Sequence, residues 1–397
     1  MRLLTRWASA ALLLVAPLIS GTHAAASPDD GGLAVERSAR AVPGQYIVTL
    51  ASEYSASSVT EQSDVKPLFT YDRVLRGFAA VLTPAQLARV LTSPGVAAVE
   101  EDSVVTANEP AAPSTRAASR AAVPAASWGL DRIDQRYLPL DKAFNTAATG
   151  KGVTAYIVDT GIDTAHSEFG GRATVGFDAI ADGRAGEDCN GHGTHVAGTV
   201  GGATYGVARS VSLVAVRVLD CEGNGTGSGL LAGLDWVAKH AEQTAVLNAS
   251  LEGPASTSID DAVNAISTKG ILPVVAAGNS AVDACGTSPA RASHAVAVGA
   301  SDSQDRETSF SNYGSCVWMY APGTAIVSAG LGGGSLALDG TSMASPHVAG
   351  VVALYKEKHP GAMPNDIARW LADQSTVNVL SFLGAGSPSR LLYTAGL

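Results

Sequence analysis

A serine stands between a glycine turn and an apolar helical run in Gly340-Thr341-Ser342-Met343-Ala344-Ser345-Pro346-His347-Val348-Ala349-Gly350. Gly340 permits a tight approach of the chain, and Pro346 suits an early helical position because its missing N–H is not needed there. Met343, Ala344, Val348 and Ala349 supply an apolar face at helical spacing. The first turn of a helix carries unpaired N–H groups and partial positive charge, so an oxyanion formed beside Ser342 would be stabilised. A hydroxyl is a weak nucleophile until a neighbouring base takes its proton. Ser342 is therefore a nucleophile only if a base and an orienting acid exist elsewhere. On its own it would read as the cap of a buried helix.

Two further segments have the right chemistry. The β-branched run Val153-Thr154-Ala155-Tyr156-Ile157-Val158 ends in Asp159-Thr160-Gly161. It reads as a buried parallel strand with a carboxylate at its C-terminal end, where open α/β sheets place their chemistry. The stretch Asn190-Gly191-His192-Gly193-Thr194-His195-Val196-Ala197-Gly198-Thr199 reads as a glycine-rich approach to a helix. A histidine at that junction can face a hydroxyl with one ring nitrogen and a carboxylate with the other, as Ser-His-Asp acyl transfer requires. A third segment, Val274-Val275-Ala276-Ala277-Gly278-Asn279, reads as another buried strand, ending in a side-chain amide.

Asp159-Thr160-Gly161, Gly191-His192-Gly193-Thr194-His195 and Gly340-Thr341-Ser342-Met343-Ala344-Ser345-Pro346, in that order, resemble the three active-site motifs of the subtilisin-like serine peptidases. The chain looks most similar to the proteinase K and aqualysin branch, from about Trp128 to the C-terminus. The resemblance implies an α/β fold over residues 121–397, a mostly parallel sheet with helices on both faces. It makes Ser342 the nucleophile, His192 the general base and then acid, and Asp159 the orienting carboxylate. Asn279 would donate to the oxyanion beside the Ser342 N–H. His195 is expected to be a packed, structural histidine.

The same resemblance makes Gly223-Asn224-Gly225 and Ser250-Leu251-Glu252-Gly253 two backbone edges between which an extended substrate adds as a strand. Main-chain pairing tolerates many sequences, so the implied activity is broad endopeptidase cleavage of protein and peptide substrates. Glu252 departs from the family, which usually has glycine after Ser-Leu. The position borders the pocket for the side chain preceding the cut bond. A carboxylate there could favour basic residues or point to solvent, and solvent is the expectation. Asp131, Asp134 and Gln135 fall at i, i+3 and i+4, a spacing that would put three oxygen ligands on one helical face, with Asp141 close by. They resemble an N-terminal calcium site of the aqualysin-like enzymes, which implies a structural calcium. Gly191-His192-Gly193-Thr194-His195 lacks the Glu base and further ligands of a zinc site.

Composition and processing signals agree with an exported enzyme. The net charge of −10 disfavours nucleic acid and anionic membranes as partners. Arg2 and Arg6, an apolar run from Ala10 to Ile19 and Thr22-His23-Ala24-Ala25-Ala26 have the layout of a signal peptide over residues 1–26. The run is too short to be a membrane span, so a secreted, monomeric protein is expected. Four cysteines in an exported chain point to two disulfides, for which three pairings exist. Similarity to aqualysin favours Cys189–Cys221 and Cys285–Cys316.

Residues 27–120 have a pattern of their own. Gln45–Leu50, Gly77–Leu82 and Gly95–Asp102 read as strands, and Thr83–Leu91 has a cap, an early proline and helical spacing. The result is a small α+β domain over about 42–107 that resembles the inhibitor-like propeptides of this family. An Ala/Pro/Ser/Arg linker follows, from Asn108 to Ala126. The resemblance implies a zymogen whose propeptide assists folding, inhibits, and is cut away by the enzyme itself. It places the mature start near Ala121, within about 109–127.

Overall fold

The computed structural model describes residues 33–107, 127–242 and 244–397. The expected signal peptide and the linker with its processing site lie outside the described residues.

The C-terminal part is built on nine strands. Their order is Thr376–Val377, Arg390–Leu391, Met319–Pro322, Val296–Ser301, Leu272–Ala276, Ala245–Ala249, Thr154–Asp159, Ser212–Arg217 and Ala173–Asp178. Every pair is parallel except the first, which closes the sheet edge as a short antiparallel ribbon. Central strands such as Leu272–Ala276 and Ala245–Ala249 are buried throughout, which explains their unbroken apolar runs. Alternation then sends side chains into two cores. Ala155 and Ile157 join the core under helices His192–Gly201, Thr341–Lys358 and Pro364–Gln374. Tyr156 and Val158 join the core under Gly227–His240 and Thr257–Thr268. Helix Thr341–Lys358 is buried on nearly all sides over its first fourteen residues, so no polar stripe interrupts its sequence there.

The N-terminal domain folds around Val48, Phe78, Val90 and Val99. Its helix Pro84–Thr92 starts with a capping box, Thr83 accepting from Gln86 N–H while the Gln86 side chain accepts from Thr83 N–H. Three features differ from the sequence reading. Ordered structure begins ahead of residue 42, because Val35–Glu36 pairs in parallel with Val99–Glu100. A helix at Ala56–Ser63 was not foreseen, because so polar a segment buries only Val59, Thr60 and Ser63. Most consequential, the last strand does not stop near Asp102. It runs from Val96 to Ala107 because its second half finds partners in the C-terminal part. That strand joins the two parts into one eight-stranded sheet, pairing with Ala41–Leu50 on the N-terminal side and with Asn224–Thr226 and Leu251–Pro254 on the C-terminal side.

Candidate active site

Asp159 ends its strand at the C-terminal edge of the sheet and is wholly buried. Its Oδ1 accepts from the Thr160 N–H at 2.7 Å and lies 2.7 Å from Nδ1 of His192. A carboxylate at Nδ1 requires the proton there, which leaves Nε2 as the basic nitrogen. His192 opens helix His192–Gly201, and Gly191 before it has φ 105°, a backbone state open to glycine at no cost.

The loop bearing His192 is held by a carboxylate the sequence reading missed. Asp188 is buried, and its Oδ1 accepts from Thr160 Oγ1, Asn190 N–H and Gly191 N–H, each at 2.9 Å. Its Oδ2 accepts from Thr194 N–H at 3.0 Å and Thr194 Oγ1 at 2.6 Å. Thr160 Oγ1 in turn accepts from Gly193 N–H at 2.9 Å. The strand that ends in Asp159 and the helix that begins with His192 are thereby tied through one group. The signal lay in Asp188-Cys189-Asn190-Gly191, a composition in which an aspartate bonds the backbone two residues on.

Ser342 is the second residue of its helix, which packs directly on the His192 helix. Its Oγ donates to Ser250 O at 3.3 Å, and Ser250 Oγ donates to Ser342 O at 3.0 Å. Pro346 explains the second bond and revises its sequence reading. It is the sixth helical residue, and an N–H there would have bonded Ser342 O. Ser250 satisfies that carbonyl instead and so fastens the Ser342 helix to the 250–253 edge. Asn248 and Ser345 complete the chain, Asn248 Nδ2 donating to Ser250 Oγ at 2.9 Å and Ser345 Oγ to Asn248 Oδ1 at 2.8 Å. Asn279 Oδ1 accepts from Thr341 N–H and Thr341 Oγ1, each at 2.9 Å, which fixes Nδ2 as the donor end of that amide. His195 is fully buried with Nε2 2.9 Å from Ile326 O, and burial pulls its pKa down to about 3. It is a neutral packing histidine.

The tail strand lies between the two edges. Val104, Val105 and Thr106 pair antiparallel with Thr226, Gly225 and Asn224, while Thr106 and Ala107 pair antiparallel with Glu252 and Leu251. Ala107 N–H donates to Gly223 O at 2.7 Å. Upstream, two tail carboxylates sit on the N-termini of helices in the C-terminal part. Glu100 accepts from Ser256 Oγ at 2.7 Å, Ser258 N–H at 2.8 Å and Ser258 Oγ at 2.7 Å at the start of Thr257–Thr268. Asp102 accepts from Ser228 N–H at 3.0 Å at the start of Gly227–His240, and burial raises its pKa. Helix N-termini favour such anions. In return, Asp235 Oδ1 accepts from the N–H groups of Asp72, Arg73 and Val74.

Cys189 is bridged to Cys221 with Cα atoms 5.0 Å apart, joining the His192 loop to the 223–226 edge, and Cys285 is bridged to Cys316 at 5.3 Å. Two sequence expectations need revision. Glu252 turns only partly to solvent: its Oε2 is buried, while its Oε1 accepts from Ser280 Oγ at 3.4 Å at the exposed side. Asp131, Asp134 and Gln135 do not share a helical face either, because the helix spans only Trp128–Ile133. The chain instead loops back on itself. Asp131 accepts from Asp141 N–H at 3.2 Å and Lys142 N–H at 2.8 Å, and Gln135 Oε1 lies 3.3 Å from that same Asp141 N–H.

A buried carboxylate on an imidazole, a serine at a helix start and a strand-accepting cleft define a serine hydrolase that acts on extended polypeptide. The chain belongs to the subtilase family: residues 150–386 match the family model, and residues 45–108 match that of peptidase inhibitor I9. It is a serine endopeptidase with an inhibitor-type propeptide. Over 409 residues it is 44% identical to the extracellular serine proteinase of Thermus sp. (strain Rt41A), covering 96% of this chain and 97% of that protein. It is also 44% identical over 324 residues to the alkaline serine exoprotease A of Vibrio alginolyticus, covering 82% of this chain but 59% of that protein. Among solved structures it resembles a cold-adapted subtilisin-like serine proteinase, with a TM-score of 0.67 and 50% identity over 68% of this chain and 98% of that one.

Proposed function

We propose that this protein is a secreted zymogen that releases itself through Ser342 and then hydrolyses peptide bonds in flexible or unfolded proteins and in peptides. The observation that carries the reading is the tail strand. It occupies both edges of the cleft and ends beside Leu251, one residue from Ser250, whose carbonyl accepts from the Ser342 hydroxyl. Residues 27–120 act as folding template and inhibitor, and the mature chain starts within about 109–127. The extracellular name of the Thermus relative and the signal-like N-terminus support export. Among the described residues no helix is long and apolar enough to cross a membrane. The mature enzyme works as a monomer.

In the reaction, His192 Nε2 takes the Ser342 proton as Oγ attacks the carbonyl carbon. The oxyanion is met by the Ser342 N–H and Asn279 Nδ2, and Asp159 stabilises the imidazolium at Nδ1. His192 passes the proton to the leaving amine, and the acyl-enzyme forms. Water, deprotonated by Nε2, then hydrolyses the ester and restores Ser342. A fluorophosphonate should label one peptide of the mature enzyme, the one containing Ser342, and His192→Ala should abolish labelling. Labelling elsewhere, or persisting in His192→Ala, would refute these roles.

Calcium at Asp131, Asp134, Gln135 and Asp141 is part of the reading. The donor set of carboxylates and an amide oxygen suits that ion. After burial, the nearby charges of Asp141 and Asp131 help to raise the pKa of Asp134, a repulsion that a cation would relieve. Calcium should raise the melting temperature of Ser342→Ala enzyme, and Asp134→Asn should remove most of that gain. Equal calcium dependence in both proteins would refute the site.

A further inference from the structure

The register of the tail strand fixes where a substrate's side chains fall. Thr106 stands opposite Glu252 and Ala107 opposite Leu251, so the next residue of any strand bound this way stands opposite Ser250. Ser250 is locked to Ser342 through two hydrogen bonds, hence that next residue is the one preceding the cut bond. Side chains two apart share a face of the paired strands, so its side chain lies on the same face as that of Glu252, one diagonal step away. A β-carbon on Gly278 would collide with Glu252 Oε2 and Asn312 Nδ2, which puts the carboxylate against the residue next to the oxyanion donor. Gly278 has φ 111°, so glycine is required there by its backbone as well as by the space.

We propose that Glu252 makes this enzyme prefer lysine or arginine immediately before the cut bond. A carboxylate with one oxygen buried interacts more strongly with a cation than one in bulk solvent, and an apolar side chain of the same length would desolvate it further without return. The cations that share a cavity with Glu252 are Arg37 and Arg40, both in the propeptide, and Arg37 is already paired with Glu101. Departure of the propeptide takes both away, and among the described residues no lysine or arginine of the mature enzyme lines that cavity. Backbone pairing still tolerates varied residues elsewhere in the substrate, so the selectivity is confined to one subsite.

This inference rests on Ser342 as nucleophile and on the two edges as the cleft, and the test separates the two levels. Mature wild type, Glu252→Gln and Glu252→Gly are assayed on peptides that differ only in Lys, Arg, Phe or Leu before the cut bond. The ratio of kcat/KM between two substrates in one preparation does not depend on how much of the enzyme is folded. Wild type should favour Lys and Arg over Phe and Leu by at least about 10-fold, and Glu252→Gln should lower that ratio about 10-fold. Glu252→Gly should favour the apolar residues. A wild-type preference for Phe or Leu that Glu252→Gln leaves unchanged would overturn the proposal while leaving the cleft assignment intact. Hydrolysis persisting in Ser342→Ala would overturn the cleft assignment itself.

Discussion

Glu100 offers a quantitative test of how the propeptide holds the enzyme. Its carboxylate accepts three hydrogen bonds at the start of helix Thr257–Thr268, and it is buried there. Hydrogen bonds to a charged group contribute about 1.5–3 kcal/mol each, but they are not additive when they share one acceptor group. Ser256 also caps its own helix by accepting from Ile259 N–H at 3.3 Å, so part of the loss is recoverable. Glu100→Ala should therefore weaken binding by about 3 kcal/mol, which is about 150-fold in the inhibition constant. Glu100→Gln keeps the shape and one acceptor oxygen but loses the charge facing the helix N-terminus. It should cost about 1.4 kcal/mol, or 10-fold. Glu101, whose ion pair with Arg37 lies at the surface, is the control, and its alanine variant should stay within about 3-fold of wild type. The assay is inhibition of mature enzyme by residues 27–107 added as a separate polypeptide, each variant checked by circular dichroism. If Glu100→Ala inhibits as well as Glu101→Ala, the carboxylate on the helix start does not anchor the propeptide.

Two further outcomes follow from the site. Asp188→Asn keeps one acceptor oxygen where Asp188 uses two to hold the His192 loop, so it should lower kcat about 10- to 100-fold with little change in KM. An unchanged kcat would show the loop to be rigid without it. His195 and His347 are buried with pKa values drawn down by burial to about 3 and about 4, whereas each titrates near 6.5 when unfolded. Between those values the unfolded chain binds more protons, so the stability they confer is present above pH 6.5 and is lost as pH falls. Unfolding of mature Ser342→Ala should become easier by about 3 kcal/mol between pH 6.5 and pH 5, and a flat profile would contradict the buried neutral pair.

Much of this site is legible because its chemistry needs particular residues in short local settings. Asp159 ends an apolar strand, His192 follows a glycine and Ser342 begins a helix, and each setting is written in adjacent residues. What stayed hidden depends on residues far apart in the chain. The length of the tail strand is set by edges more than a hundred residues on, at Asn224–Thr226 and Leu251–Pro254. Pro346 reads in sequence as harmless to its helix, whereas in the fold Ser250, between strands Ala245–Ala249 and Leu251–Pro254, takes the carbonyl it leaves. The spacing of Asp131, Asp134 and Gln135 predicts a shared helical face, yet the helix ends at Ile133, and backbone N–H groups of the returning loop bind Asp131 instead. Glu252 could be flagged as unusual from sequence, but only the packing against Gly278 fixes its direction.

The account turns on Ser342 acting on its own chain, and one comparison tests this most directly. Wild type and Ser342→Ala are exported from a protease-deficient host, and intact mass and N-terminal sequence are read for each product. Wild type should start within about 109–127, whereas Ser342→Ala should retain its propeptide joined to the enzyme. Equal trimming of both proteins would contradict self-processing and assign the cut to another protease.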